Sequence, residues 1–432
     1  MPLIAYAIFF FLVGACIGSF LNVVVWRLPR GESLITPPSH CPKCDKQLAW
    51  FDNVPIVGWL ALRGRCRYCK EPISPRYPIV EAITAALFVL YFLAYYLLQM
   101  RTCCPQPRGV DVGDQQPMIV HVGLWILGES WPIYVLYMIT IAGLLAASLI
   151  DAELFIIPTQ IPYVIAGLAF LVHAIADRPW IPGSLNLVGG FGATAAALSA
   201  GAAVGLLISL ALWWLKILPT SFPQGEPLLD VDRAAIEEEI AEAKKRGEHI
   251  EYEPLPPPMA KAEILGEIRK EILFLMPPLA LGAAWMTLTM VVPTLRDAWA
   301  NQMRYDWLTG LLGSLLGALV GAFVVWLTRI LGTLAFRRVA MGLGDVHLMF
   351  GVGAVIGAAG ATIAFFIAPF FGILIAIYMM ITRKGREMPL GPYLSLATAF
   401  VMLFYCPIAA YLTPGLQGML LVLGGLLGHH GG

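Results

Sequence analysis

The sequence predicts an all-α polytopic membrane protein of about nine to ten transmembrane helices, with a small cytoplasmic four-cysteine zinc-binding loop. Three observations predict it. Charged residues are only 13% of the 432 positions and hydrophobic residues 59%, where a soluble domain carries about 25% charged residues. Uncharged stretches of about 20 residues recur, the length that crosses a hydrocarbon core of about 30 Å. Two Cys-x-x-Cys pairs share one polar, basic segment near the amino terminus. The net charge of zero and the lack of a dominant basic surface exclude nucleic acid as a partner, since phosphate binding needs clustered Lys and Arg. Lipid is the expected surrounding.

Taken in order, the apolar stretches fall near 3–25, 82–100, 131–150, 155–176, 187–215, 272–293, 308–328, 347–366, 367–382 and 393–413. The first lacks a basic leader and a small-residue cleavage site, so it reads as a retained first helix rather than a secretory signal. Residues 347–382 contain no Asp, Glu, Lys or Arg and are too long for one span. Proline removes a donor and clashes with the preceding turn, so Pro369 predicts the break of a helical hairpin there.

The polar intervals complete the division: a first helix (1–26), a cytoplasmic zinc loop (27–78), helices including Asp151 (79–218), an acidic cytoplasmic insertion (219–270) and helices including Asp345 (271–432). The zinc loop holds nine Lys/Arg against four acids, and the insertion twelve acids against seven bases. Within the insertion, residues 231–246 read as a helix that Asp230 caps and Gly247 ends, and the proline run from Pro254 to Pro258 reads as a linker. The insertion as a whole is most simply a solvated loop; a sharper alternative is a docking surface for a basic peptide or an assembly ATPase. Cys103-Cys104 receives no role.

Lys and Arg concentrate on the cytoplasmic side of short loops. Alternating spans from a cytoplasmic zinc loop place 23 of the 28 Lys/Arg inside, so the amino terminus is expected outside. A reducing compartment then decides how the cysteines read. Cys41-Pro-Lys-Cys44 and Cys66-Arg-Tyr-Cys69 approach the spacing of four-thiolate zinc sites, whereas a pair of disulfides needs an oxidising compartment. His40 is an additional ligand candidate, and Cys16 and Cys406 read as buried hydrophobes.

Carboxylates at membrane level are costly and mark functional sites. Asp151 ends the apolar run Ala142–Ile150, and Asp345 sits in Met341-Gly-Leu-Gly-Asp345-Val-His347. The same topology puts both at cytoplasmic helix ends, where they can meet. Two carboxylates in one partly desolvated site hold a proton between them, the arrangement by which an aspartic protease activates water with one and polarises a carbonyl with the other. Gly342 and Gly344 leave room for a substrate strand or the partner helix beside Asp345. From spacing alone, Asp151 also reads as a helix-end cap and the Gly-x-Gly-Asp stretch as a common loop. A transporter and a zinc-stabilised scaffold of a secretion or pilus system remain alternatives; the first would show internal repeats and helices broken at the midplane, and no convincing internal repeat is evident.

Gly18-Ser-Phe-Leu-Asn-Val-Val-Val-Trp-Arg-Leu-Pro29, the two Cys-x-x-Cys pairs, Arg76-Tyr-Pro-Ile-Val-Glu81, Asp151 with Ile157-Pro158, Met341-Gly-Leu-Gly-Asp345 and Pro389-Leu-Gly-Pro-Tyr-Leu394 resemble, in order, the type IV prepilin peptidase family. The resemblance implies a bacterial inner-membrane aspartic endopeptidase of the GxGD type. Such enzymes cut the basic leader from prepilins and pseudopilins, typically after a glycine, at the cytoplasmic face. It further implies catalytic Asp151 and Asp345, structural Zn²⁺ on Cys41, Cys44, Cys66 and Cys69, and methylation of the new amino terminus with S-adenosylmethionine, for which no glycine-rich nucleotide signature is present.

The chain departs from the family in carrying Thr159 where an aspartate follows Ile-Pro, and His347 where a lysine follows Gly-Asp-Val. Because histidine is a cation only near or below about pH 6.5, His347 implies a sharper pH dependence than in lysine-bearing relatives.

Overall fold

A computed structural model of the protein describes residues 2–94, 119–176, 191–221, 261–336, 339–382, 389–405, 407–408 and 411. The helix expected at 231–246, Cys103-Cys104, Cys406 and the Arg383–Arg386 cluster lie outside the described residues. Among those described, the regular elements are helices: α1 (Pro2–Arg27), α2 (Val57–Ala61), α3 (Arg76–Phe92), α4 (Ile119–Leu154), α5 (Gln160–Ala176), α6 (Phe191–Trp214), α7 (Lys261–Val291), α8 (Pro293–Gln302), α9 (Asp306–Phe336), α10 (Leu343–Thr382) and α11 (Gly391–Leu403). Two 3₁₀ turns (Leu28–Arg30 and Trp50–Asn53) and two isolated bridges complete the set.

Six helices among the described residues are long and apolar enough to cross a membrane: Ile4–Arg30, Trp131–Leu154, Gly192–Trp214, Ala262–Val291, Asp306–Phe336 and Leu343–Ile381. The expected nine to ten spans are not reached by this measure. The stretch expected at 155–176 starts late, because Phe155 adopts a left-handed φ of 55° after α4 and α5 begins only at Gln160. At 17 residues it is about 25 Å long. The apolar stretches around 82–100 and 393–413 each run into residues outside those described.

The helices assemble around α10, which packs on α5, α9 and α11. The helix α1 packs on α3 and α4, α11 returns onto α4, and α6 pairs with α7 and reaches the remainder through α9. Ala147, Ile150, Leu348, Met349, Val352, Leu394 and Ala397 are buried in one continuous cluster. Since lipid tails are as apolar as these side chains, such contacts hold through close van der Waals packing, which favours small residues at the crossing. At the α9–α10 crossing, a methyl on Gly317 would stand 2.8 Å from Gly357 Cα.

The helix α10 is a hairpin of two arms, as the sequence predicts, but it turns at Gly357 and not at Pro369. Gly357 has φ 73° and ψ 174°, a conformation open to glycine alone at little cost, while Pro369 sits inside the second arm. Met349 and Ala361 both lie within 3.5 Å of where a methyl on Gly321 would stand; a straight helix would hold them about 18 Å apart. Proline within an apolar helix is tolerated where neighbours cover the freed carbonyl, whereas a reversal needs the positive φ.

The helix α7 begins at Lys261 and so crosses the expected boundary between residues 270 and 271. Its polar first turns conceal a face: Ile264, Ile268 and Glu271 are buried at helical spacing, and the two isoleucines cluster with Ile330 of α9.

Candidate active site

The cysteine loop is built from two copies of one turn. In the first, Cys41 N–H donates to Lys46 O at 3.0 Å and Asp45 N–H to Cys41 O at 2.8 Å; in the second, Cys66 N–H donates to Glu71 O at 2.8 Å and Lys70 N–H to Cys66 O at 3.1 Å. The residue after each second cysteine, Asp45 and Lys70, takes a left-handed φ of 58° and 63°. Each turn presents both of its sulfurs on one side. The four Sγ atoms of Cys41, Cys44, Cys66 and Cys69 lie within 4.8 Å of one another.

Cys41 Sγ and Cys69 Sγ are 3.8 Å apart, nearly twice a disulfide bond of about 2.05 Å. A tetrahedron with metal–sulfur bonds of about 2.3 Å has an edge of about 3.8 Å, so the donor set fits a four-thiolate metal ion. The backbone N–H groups of Cys69 and Tyr68 draw the Cys66 thiol down to about 6, while burial and the neighbouring thiols push Cys69 up to about 12, so Cys66 is the thiol that ionises first. His40 lies outside this group of four sulfurs: its Nδ1 faces Pro38 O at 3.1 Å and its Nε2 faces Asp45 at 3.6 Å.

Polar links join this loop to the helices. Asp52, its side chain 2% exposed, accepts from Arg67 Nε at 2.8 Å and Nη2 at 2.6 Å. The Arg67 hydrogen bonds hold the Asp52 carboxyl below the usual carboxylate range. A carboxyl lowered in this way stabilises the fold above its unfolded value of about 3.9, and loses that contribution only as the pH falls through the lower folded value. Glu81 on α3 accepts from the Ile56 N–H at 2.6 Å, and Arg76 pairs with Glu153 in the last turn of α4. Glu153 is two residues from Asp151, so the cysteine loop and Asp151 occupy the same end of the bundle.

Asp151 lies in the last turn of α4 and is 5% exposed; Asp345 lies in the first turn of α10 and is 7% exposed. Ile157, in the loop after α4, packs between the glycine that precedes Asp345 and the glycine that contacts Asp151. A methyl on Gly344 would stand 3.1 Å from Ile157 Cβ, and one on Gly391 would stand 3.1 Å from Ile157 Cδ1 and 3.1 Å from Asp151 Cγ. The Asp345 carboxylate folds back beside Gly342, whose absent methyl would lie 3.8 Å from Oδ2. Gly344, the chain neighbour of Asp345, and Gly391, the partner of Asp151, therefore pack against the same side chain. His347 points elsewhere, with its ring centroid 5.5 Å from that of Tyr163 on α5.

Gly391 is a site residue that spacing alone leaves without a role. Its N–H donates to Asp151 Oδ2 at 3.0 Å, and it opens α11 with a proline in the first turn, so the positive end of that helix faces the carboxylate. The glycine-proline pair before an apolar run is a helix-start signal; its partner across 240 residues is not written locally. Gly391→Ala is expected to push Asp151 and Ile157 aside while leaving the helices folded. Any activity that depends on Asp151 should fall about 10²-fold with an unchanged melting temperature in detergent; full activity of this variant would remove Gly391 from the site.

Comparison with known proteins follows this geometry. Residues 12–95 match the bacterial peptidase A24 N-terminal domain, and residues 272–377 match the type IV leader peptidase family. The chain is a relative of the type IV prepilin leader peptidases. The first match contains the four cysteines and the second contains Asp345; Asp151 and Gly391 lie outside both.

Proteins named prepilin leader peptidase/N-methyltransferase are similar. The one from Myxococcus xanthus is 54% identical over 83 residues, 19% of this chain and 25% of that protein. That from Klebsiella pneumoniae is 52% identical over 88 residues, 19% and 39% of the two chains. That from Vibrio cholerae is 31% identical over 196 residues, 44% and 64%. The chain thus spans less than two thirds of the length of each of these relatives. No solved structure matches.

Proposed function

We propose that this peptidase relative is a membrane-embedded aspartic endopeptidase that removes the leader from type IV prepilins or pseudopilins at the cytoplasmic face of the bacterial inner membrane. The observation that supports the reading is the packing of Gly344, next to Asp345, and of Gly391, which donates to Asp151, against the same Ile157, at the end of the bundle where the cysteine loop is also attached. In the reaction, one carboxylate takes a proton from water while the other, protonated, polarises the scissile carbonyl. Gly342 leaves room for the substrate backbone beside Asp345, Gly344 lets Ile157 pack close, and the Gly391 N–H fixes one oxygen of Asp151. Their burial keeps the pair out of bulk water.

The four cysteines would hold Zn²⁺, which supplies a closed structural crosslink between the two turns and no chemistry of its own. Methylation of the new amino terminus with S-adenosylmethionine is a second activity, supported by the names of the relatives and assigned to no residue here. The division into zinc loop, acidic insertion and two helical parts, an outside amino terminus, and nine to ten spans accord with this reading.

Co-expression with a candidate prepilin tests it. The precursor should shorten by its leader, and mass spectrometry of the mature chain should show one added methyl group at the amino terminus. A precursor left full-length by the wild-type protein would reject the protease.

A further inference from the structure

The buried ion pair of Glu271 on α7 and Arg329 on α9 does more than join two helices. Both side chains are almost wholly enclosed, at 2% and 1% exposure. Glu271 Oε1 stands 3.3 Å from both Nε and Nη2 of Arg329, and Oε2 accepts from Trp326 Nε1 at 3.0 Å. The remaining arm of the guanidinium, Nη1, donates to the backbone carbonyl of Met341. Met341 opens the Met-Gly-Leu-Gly-Asp stretch and lies four residues before Asp345. The N–H of Ala340 donates to Thr333 Oγ1 at 3.2 Å, so successive residues ahead of the glycines are tied to α9.

Stability alone does not explain an ion pair at this place. Desolvating two charges costs several kcal/mol each, and replacing a buried pair by apolar side chains of similar volume is often neutral or stabilising. An apolar pair, however, cannot donate to a carbonyl. The planar fork of arginine can hold the Glu271 carboxylate with one edge and Met341 with the other, which the point charge of lysine cannot do. Between this anchor and Asp345 lie Gly342, Leu343 and Gly344, and glycine gives the backbone little rigidity of its own.

We propose that Glu271 and Arg329 are positioning residues that clamp the Met341 carbonyl and thereby set the place of Asp345, making α7 part of the active-site scaffold. This rests on the reading that Asp345 takes part in leader cleavage.

The test uses the full chain in detergent and compares wild type, the double variant Glu271→Met/Arg329→Met, and Arg329→Lys. The double variant should melt like wild type, while its kcat for leader cleavage falls about 10²-fold and its KM changes less than about twofold. Arg329→Lys, which keeps the charge pair and one donor, should recover part of the lost kcat. A folded double variant with wild-type kcat overturns the proposal; should the double variant fail to fold, a wild-type kcat in Arg329→Lys overturns it instead. If wild type itself cleaves no prepilin, the protease reading fails separately. The clamp is then read from maleimide labelling of a Gly342→Cys variant, located by mass spectrometry. Faster labelling with the methionine pair in place supports the clamp, and an unchanged rate rejects it.

Discussion

Asp151→Asn and Asp345→Asn should each lower leader cleavage about 10³-fold or more, within the range by which a positioned acid or base contributes to a rate, while the protein accumulates and melts as wild type does. Asparagine keeps the volume of aspartate and can still accept from the Gly391 N–H, which donates to Asp151 Oδ2 at 3.0 Å, so the last turn of α4 and the start of α11 have no reason to move. What it cannot do is take a proton from water or hold one for a carbonyl. The two variants should be equally inactive and the double variant no worse, because groups acting as a unit are not additive. Alanine would be a poorer probe, since it also opens a cavity among Ile157, Gly344 and Gly391. The measurement is precursor conversion over time at saturating prepilin. Wild-type processing by either asparagine variant would rule out the pair.

Loss of a cysteine should have the largest effect on structure. Structural four-ligand zinc sites contribute roughly 10–16 kcal/mol of apparent binding energy that is also folding energy, and residues 27–78 contain no α-helix longer than the five residues of α2. Cys41 and Cys66 are the buried members, at 8% and 2% exposure. Cys41→Ser and Cys66→Ser should abolish stoichiometric zinc in metal analysis and open the loop to proteolysis after its lysines and arginines, while the helices remain folded. A chelator should reproduce both effects in wild type. Either serine variant retaining full zinc and a resistant loop would contradict a four-cysteine site.

Much of this was legible in order along the chain because it depends on near neighbours. Two cysteines separated by two residues make a knuckle whatever surrounds them, and the sulfur positions bear out the spacing. Scarce charge and long apolar runs announce apolar helices. The hairpin of α10 was also legible, but not its turn: proline is a visible interruption, while Gly357 is one glycine among many, chosen because α9 brings Gly317 against it. The start of α7 was hidden for a similar reason. Its polar residues look like solvated sequence until Ile264, Ile268 and Glu271 are seen to share one buried face.

The chain's composition and local spacing already dictated its solvent, its helical class, its cysteine cluster and the two aspartates worth watching, since each follows from hydropathy or from chemistry within a few residues. Only the folded structure decided that Ile157 lies between Gly344 and Gly391, that Gly391 answers Asp151 across 240 residues, and that a glutamate beside an acidic insertion pairs with the arginine that holds the loop before Asp345. Those are contacts between helices, set by how closely small residues let backbones approach, and no single stretch of sequence contains both partners.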